Sequence, residues 1–224
     1  MSAYRPSKQL EITGYRQAQV PCLLYEAAGE NGIAVVFPGA ARDDNRIGGV
    51  PARPDLHYTR EVLQSAGLAV LEVWWDAGTA PATDLEGWLD ANASAALEEA
   101  SREHTLALLA GRSLGTWALA RLIERDEGQA RSVPSIWLAP LLDQPPVLSV
   151  LQQLDAPAFV VGGSSDATFS PADAEGLRRG SIEVVVLEGA NHGLEVEDPV
   201  ESARLLAGVL EQMQRFVLGL DQTP

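Results

Sequence analysis

The chain has 224 residues, of which 46% are hydrophobic and 21% are charged, and its formal net charge at pH 7 is −15. That size and composition predict one globular domain, residues 1–224, long enough to bury a sizeable core. The negative charge argues against nucleic acids and anionic membranes as partners, because phosphate groups are bound by clustered lysine and arginine.

The cysteine content and the N-terminal segment bear on the compartment in which the protein resides. The chain has a single cysteine, Cys22, so it cannot form an internal disulfide. Cys22 lies in the apolar segment VPCLLYEA, which favours a buried, unreactive thiol. The N-terminal segment MSAYRPSKQL lacks the apolar core of a signal peptide, and no apolar run approaches the roughly 20 residues that span a bilayer. These features predict a cytoplasmic protein.

Short apolar runs along the chain predict the strands of a sheet. The segments LEITGY and QVPCLLYEAAG, joined by a short polar turn, predict an antiparallel hairpin at one edge. Later runs lie at 33–37, 68–75, 105–110, 135–139, 158–162 and 182–188. They are rich in Val, Leu, Ile and Ala and mostly lack polar–apolar alternation, which is typical of parallel strands that are buried on both faces.

Segments with helical periodicity lie between these runs, at 55–66, 84–103, 114–125 and 198–218. The last helix has a clear start, because Asp198 suits the N-cap and Pro199 the first helical position. The segment 139–157 predicts a loop with one small helix. Strands and helices therefore alternate, and the predicted fold class is α/β, a mostly parallel sheet with helices on both faces.

The motif GRSLG, residues 111–115, follows the apolar run 105–110 and directly precedes a helical segment. This is the strand–turn–helix context that G-x-S-x-G requires, with Ser113 as the candidate nucleophile. The two glycines permit a sharp turn, and the N–H of Leu114 lies at the start of a helix, where it can stabilise a developing negative charge. Alone, the motif is equally compatible with a turn that has no catalytic role.

A serine hydroxyl becomes a good nucleophile only when a base removes its proton. The chain has three histidines, and His192 is the candidate because it lies in the glycine-flanked loop GANHG after the last strand. His57 lies inside the first helical segment and His104 follows the second, so both are expected to be surface or core-edge residues without a catalytic role.

The base in turn needs a carboxylate to orient it. Asp166, in VVGGSSDATF, follows the strand 158–162 and precedes His192, which gives the order nucleophile, acid, base. Asp143, which follows the preceding strand in APLLDQPP, is the alternative acid.

Backbone N–H groups beside the nucleophile are expected to complete the site as an oxyanion hole. The run 33–37 is followed by PGAARDD, whose glycine and small residues let the backbone approach a substrate oxygen. Ala40 is the candidate donor alongside Leu114, and Ala41 is the alternative.

Candidates for lining the substrate pocket are Ala41, Arg112, Trp74 and Trp75. Adjacent strand residues point to opposite faces, so one tryptophan of the pair is expected in the core.

The segments FPGAAR, GRSLG, GSSDATF and GANHG together resemble the oxyanion loop, nucleophile elbow, acid loop and histidine loop of α/β-hydrolases. The resemblance covers nearly the full chain and implies an eight-stranded, mostly parallel sheet and an acyl-enzyme mechanism. Pro38-Gly39 replaces the His-Gly that is more usual in the oxyanion loop, and no cap domain is expected before the acid strand. Small capless members similar to dienelactone hydrolases and carboxylesterases are the expected relatives.

The hypothesis that follows is a serine hydrolase acting on small-molecule carboxylic esters or thioesters, with Ser113, His192 and Asp166 as its triad and with no metal or organic cofactor. One alternative is a binding or scaffold protein that keeps the fold but has lost the oxyanion hole, for which Pro38-Gly39 is the best support. Another is a lyase or perhydrolase that uses the same triad.

Overall fold

A computed structural model describes residues 6–27, 29, 31–40 and 53–220. Its strands form one eight-stranded sheet in the order β1-β2-β4-β3-β5-β6-β7-β8. The strands are β1 (Lys8–Thr13), β2 (Gln19–Tyr25), β3 (Ile33–Phe37), β4 (Ala69–Val73), β5 (Leu106–Arg112), β6 (Ser135–Leu138), β7 (Ala158–Gly163) and β8 (Ile182–Leu187). β1 and β2 are antiparallel, as is the β2–β4 pair, and the other pairs are parallel. The predicted mostly parallel sheet with an N-terminal edge hairpin is confirmed.

Helices cover both faces of this sheet. They are α1 (Pro54–Ser65), α2 (Leu85–Ala100), α3 (Leu114–Glu124), α4 (Pro145–Gln153), α5 (Pro171–Gly176) and α6 (Pro199–Leu220), with short 3₁₀ turns at Tyr15–Gln17, Ala77–Thr79 and Glu127–Ser132. α2 to α5 share one core with alternate strand residues such as Val35, whereas α1 and α6 share a second core with the intervening residues such as Val36. Because both faces are covered, every position of β3 is buried, which explains the continuous apolar runs.

The observed element ends follow from local hydrogen bonding. β5 runs past the predicted end to Arg112, because Gly111 and Arg112 remain paired with β6. α6 begins as predicted, since Asp198 Oδ1 accepts from Val200 N at 2.7 Å and from Glu201 N at 3.2 Å. The six-residue helix α5 has too few turns for its periodicity to show in the sequence.

The charged side chain of Glu72 interrupts the apolar run of β4 on the α1 side of the sheet. Glu72 of β4 is fully buried, and burial, opposed by Arg60, raises the pKa of its carboxyl to about 7. Arg60 of α1 lies 3.4 Å from that carboxyl and also covers the Tyr25 ring, with 4.3 Å between guanidinium and ring centroid. This buried contact fixes the position of α1, whose first turn reaches the candidate site.

The six parallel strands β3 to β8 all end at the same edge of the sheet. In such sheets ligands bind beyond the carboxyl ends of the strands. The segments after β3, β5, β7 and β8 carry the candidate triad and oxyanion residues, and the segment after β4 carries Trp74 and Trp75. None of the described helices is long and apolar enough to cross a membrane.

Candidate active site

Ser113 lies on the sharp turn between β5 and α3. Its backbone has φ 50° and ψ −117°, a strained conformation for a residue with a side chain, and its N–H still donates to Leu138 O at 3.0 Å. The flanking glycines make the turn sterically feasible. A Cβ on Gly111 would lie 2.6 Å from Gly115 O, and a Cβ on Gly115 would lie 2.3 Å from Phe37 O. Only glycine fits at these two positions, so the backbone holds the Ser113 side chain up at the edge of the sheet.

The structure brings Ser113, His192 and Asp166 together. His192 Nε2 lies 2.8 Å from Ser113 Oγ, and His192 Nδ1 lies 2.7 Å from Asp166 Oδ2. Ser113 is 8% exposed and the His192 side chain 38%, whereas the Asp166 carboxylate is buried. The carboxylate fixes the tautomer, because Nδ1–H donates to Asp166 and leaves Nε2 to accept the Ser113 proton.

Thr168 orients the carboxylate of Asp166, a role that the sequence pattern does not predict. Its N–H and its hydroxyl both donate to Asp166 Oδ1 at 2.9 Å, which leaves Oδ2 directed at the imidazole. The hydroxyl also lies 3.3 Å from His192 Nδ1. The alternative acid, Asp143, is exposed beyond β6, and the carboxylate that contacts His192 is that of Asp166. A threonine two residues after the acid is the only sequence signal that could have suggested this contact.

The segment after β3 approaches the nucleophile through Gly39. A Cβ on Gly39 would lie 3.3 Å from Ser113 Cβ and 3.1 Å from Arg112 Nη1, so this backbone packs directly against the elbow. Ala40 follows and is exposed, while Ala41 lies outside the described residues. Leu114 is the first residue of α3, where an N–H has no intrahelical acceptor.

The two tryptophans after β4 differ in burial. Trp75 is buried, with its ring centroid 5.9 Å from that of Phe37 and 5.3 Å from that of Trp88. Its Nε1–H donates to Gly39 O at 3.4 Å. Trp75 therefore lies in the core beneath Gly39 rather than at a substrate mouth, whereas Trp74 is half-buried.

Arg112, considered above as a pocket residue, is buried beside the histidine loop. Its Nε donates to Asp55 Oδ2 at 2.7 Å and its Nη2 donates to His192 O at 3.1 Å. The guanidinium is thus engaged with protein groups, including the main chain of the residue that carries the base.

The other two histidines and the cysteine lie outside the Ser113–His192–Asp166 cluster in the described structure. His57 Nδ1 is 3.0 Å from Arg60 Nη2, and His104 Nε2 is 3.7 Å from Glu26. Burial raises the pKa of the Cys22 thiol to about 12, so this cysteine is protonated at neutral pH. Within the described ranges, no group of three or more His, Cys, Asp or Glu side chains is placed to hold a metal ion.

Comparison with known proteins identifies a fold. No family model and no curated protein matches the sequence. Among solved structures, a putative α/β hydrolase from Agrobacterium tumefaciens superposes with TM-score 0.70 at 16% identity, covering 95% of this chain and 97% of that chain. A serine hydrolase homologue from Coxiella burnetii gives TM-score 0.68 at 16% identity, covering 97% and 98%. A serine hydrolase without lid from Xanthomonas campestris gives 0.66 at 16%, covering 96% and 94%. The chain has the α/β-hydrolase fold.

This α/β-hydrolase fold has no domain inserted before β7, the strand that precedes Asp166. Between β6 and β7 the chain forms one small helix, α4, as the sequence predicts. The Ser113 turn, the Asp166 loop and the His192 loop follow β5, β7 and β8, so the three side chains meet at the carboxyl edge of the sheet.

Proposed function

We propose that this protein is a serine hydrolase that cleaves small carboxylic esters or thioesters through an acyl-enzyme. The observation that carries the proposal is the continuous chain of contacts from Ser113 Oγ through His192, at 2.8 Å, to Asp166, at 2.7 Å. A hydroxyl, an imidazole and a carboxylate in this order form a nucleophile, its base and the group that orients the base.

In the proposed mechanism Ser113 Oγ attacks the acyl carbon while its proton passes to His192 Nε2. The tetrahedral oxyanion accepts hydrogen bonds from the N–H groups of Leu114 and Ala40, and the α3 dipole favours that charge. Collapse of this intermediate expels the alcohol or thiol, which takes the proton from His192. Water then attacks the acyl-enzyme while His192 takes its proton, and the bond between the acyl carbon and Ser113 Oγ breaks as Oγ takes that proton back, which releases the acid.

The fold supports this proposal, because two of the similar structures are named as serine hydrolases or their homologues. The exposure of the proposed base also supports it. The His192 side chain is 38% exposed, and between β6 and β7 the chain forms the small helix α4.

Labelling with a fluorophosphonate probe, followed by turnover of short p-nitrophenyl esters, tests the proposal. The wild type is expected to form a covalent adduct at Ser113 and to hydrolyse the ester. Ser113→Ala is expected to do neither while keeping its circular dichroism spectrum. A folded wild type that neither labels nor turns over any ester or thioester in an acyl-chain panel would refute the hydrolase and favour a non-catalytic binding protein.

A further inference from the structure

A buried ion-pair network centred on Asp55 lies behind the histidine loop. Asp55 is in the first turn of α1, and its Oδ2 accepts a hydrogen bond of 2.7 Å from Arg112 Nε. The side chains of Asp55 and Arg112 are both 6% exposed. Arg53 approaches the other oxygen, with 3.5 Å between its Nε and Asp55 Oδ1. One carboxylate therefore holds two arginines.

Each of these arginines also donates to the main chain of the histidine loop. Arg112 Nη2 contacts His192 O and Arg53 Nη2 contacts Gly193 O, both at 3.1 Å. The two carbonyls are consecutive, and the first belongs to the residue that carries the proposed base. A guanidinium offers several donors in a rigid fork, so it can hold a carboxylate and a carbonyl at once.

Arg112 is also the chain neighbour of the nucleophile. Its main chain ends β5 directly before Ser113, and its side chain reaches the main chain of His192. A single residue thus links the turn that presents Ser113 Oγ to the loop that presents His192 Nε2. Gly39 leaves the space that this guanidinium occupies, because a Cβ there would lie 3.1 Å from Arg112 Nη1.

The histidine loop needs such support, since its own backbone is strained. Leu194 has φ 61°, a left-handed conformation that a branched side chain disfavours. Asn191 Oδ1 stabilises the turn at residues 191–193 by accepting a hydrogen bond of 2.7 Å from Gly193 N. Strained residues persist only where surrounding contacts over-determine them.

We propose that Asp55, Arg112 and Arg53 are positioning residues, which clamp the histidine loop and thereby hold His192 between Ser113 and Asp166. Asp55 is the centre of this clamp, because it is the buried carboxylate that both guanidiniums approach, whereas Glu195, 4.0 Å from Arg53 Nη2, is 57% exposed. Burial lowers the pKa of Arg112, and Asp55 opposes that shift. The inference rests on the proposed function for its catalytic consequence.

Three kinetic measurements test the clamp, with Arg112→Met and Asp55→Asn compared against Asp90→Asn. Asp90 is a matched control, since it also holds two arginines, Arg121 and Arg125, but on the other face of the sheet. We expect kcat on a p-nitrophenyl ester and the fluorophosphonate labelling rate to fall by about 100-fold in the first two variants, because small misplacements of a catalytic group cost rates of this order. KM is expected to stay unchanged, since none of these side chains contacts substrate in the proposal. Asp90→Asn is expected to keep the wild-type rates.

A spectroscopic readout separates positioning from general stability. We expect the proton between His192 Nδ1 and Asp166 Oδ2, which lie 2.7 Å apart, to give a far-downfield NMR resonance, and we expect Arg112→Met to broaden or abolish that resonance in a folded protein. Arg112→Lys keeps the charge next to Asp55 but lacks the fork, so it is expected to restore folding without restoring the rate. Wild-type kcat and an unchanged resonance in folded Arg112→Met and Asp55→Asn would overturn the clamp.

Arg53→Gln decides the matter if the two buried variants do not fold, because the Arg53 side chain is 35% exposed. A labelling rate about tenfold lower supports the clamp, and an unchanged rate overturns it. If the wild type itself does not react, the hydrolase proposal fails, and the NMR resonance of wild type against Arg53→Gln still decides whether the clamp holds His192.

Discussion

The carboxylates of Asp90 and Asp55 each bind a pair of arginines, but they lie on opposite faces of the sheet and connect different elements. Asp90 of α2 binds Arg121 at 2.7 Å and also Arg125, and both arginines lie on or directly after α3. Asp55 of α1 binds Arg112 at the end of β5 and pairs with Arg53. The Asp90 network joins two neighbouring helices, whereas the Asp55 network joins a helix, a strand end and the loop that carries the candidate base. Similar ion pairs therefore have different consequences, which depend on whether their outer contacts reach a strained loop.

Exposure separates the two networks as well. The Asp90 side chain is 27% exposed, against 6% for Asp55. Water screens and replaces a partly exposed ion pair, whereas a buried one leaves an uncompensated charge when a partner is removed. The buried network is thus both the more costly to break and the closer to the chemistry.

The largest expected effect is on the free energy of unfolding. Asp55→Ala leaves the buried Arg112 guanidinium without its carboxylate, and we expect a loss of about 3–5 kcal/mol. Asp90→Ala, which breaks the more exposed network, is expected to cost about 1–2 kcal/mol. Urea denaturation of both variants measures the difference. Equal losses would show that burial does not distinguish the two networks.

A smaller change at Gly39 perturbs the Asp55 network without removing any charge. The new Cβ of Gly39→Ala would lie 3.1 Å from Arg112 Nη1 and 3.3 Å from Ser113 Cβ, so the guanidinium must shift by a few tenths of an ångström. We expect kcat on a p-nitrophenyl ester to fall by about tenfold with little change in stability. Gly208→Ala in α6 is the control, because its Cβ meets no atom within 4 Å, and its activity should match the wild type. A Gly39→Ala enzyme that is as fast as this control would contradict the close packing described above.

The smallest expected effect is on how the free energy of unfolding falls at acidic pH, and it concerns Asp90. Burial raises the pKa of this carboxyl, but hydrogen bonds from Arg121 and Arg125 outweigh burial and lower it. A lowered pKa in the folded state means stability that is present above the ordinary Asp value, about 3.9, and is lost as pH falls through the folded value. Asp90→Asn should therefore lose less stability than the wild type on acidification below about pH 4. Thermal unfolding across this pH range measures it, and parallel curves for the two proteins would rule out the assigned role.

Local patterns in the sequence predicted the strands of the parallel sheet and the place of the nucleophile. A strand that is buried on both faces must be apolar at every position, so the run 33–37 identifies β3 to the residue. The pattern G-x-S-x-G between an apolar run and a helical segment is equally local, although the contact that requires glycine at 115 is with Phe37 O of β3 and shows only in the folded chain.

Contacts between distant parts of the chain left no such pattern. Asp166 and Asp143 each follow a strand, and only the packed structure shows which one reaches His192. Trp74 and Trp75 are expected to point to opposite faces of the sheet, but only the contacts with Phe37 and Trp88 show that Trp75 is the buried one.

The sequence by itself determined the α/β fold, the strand ends that deliver reactive groups, and the identity of Ser113 and His192 as candidates, because periodicity and backbone sterics act over a few residues. Tertiary structure alone decided what Arg112 does. Beside the nucleophile in sequence it resembled a pocket residue, yet its partner Asp55 lies 57 positions away and its second acceptor 80 positions away. Charged side chains pair across any separation that folding brings to hydrogen-bond distance, and no local spacing records that choice.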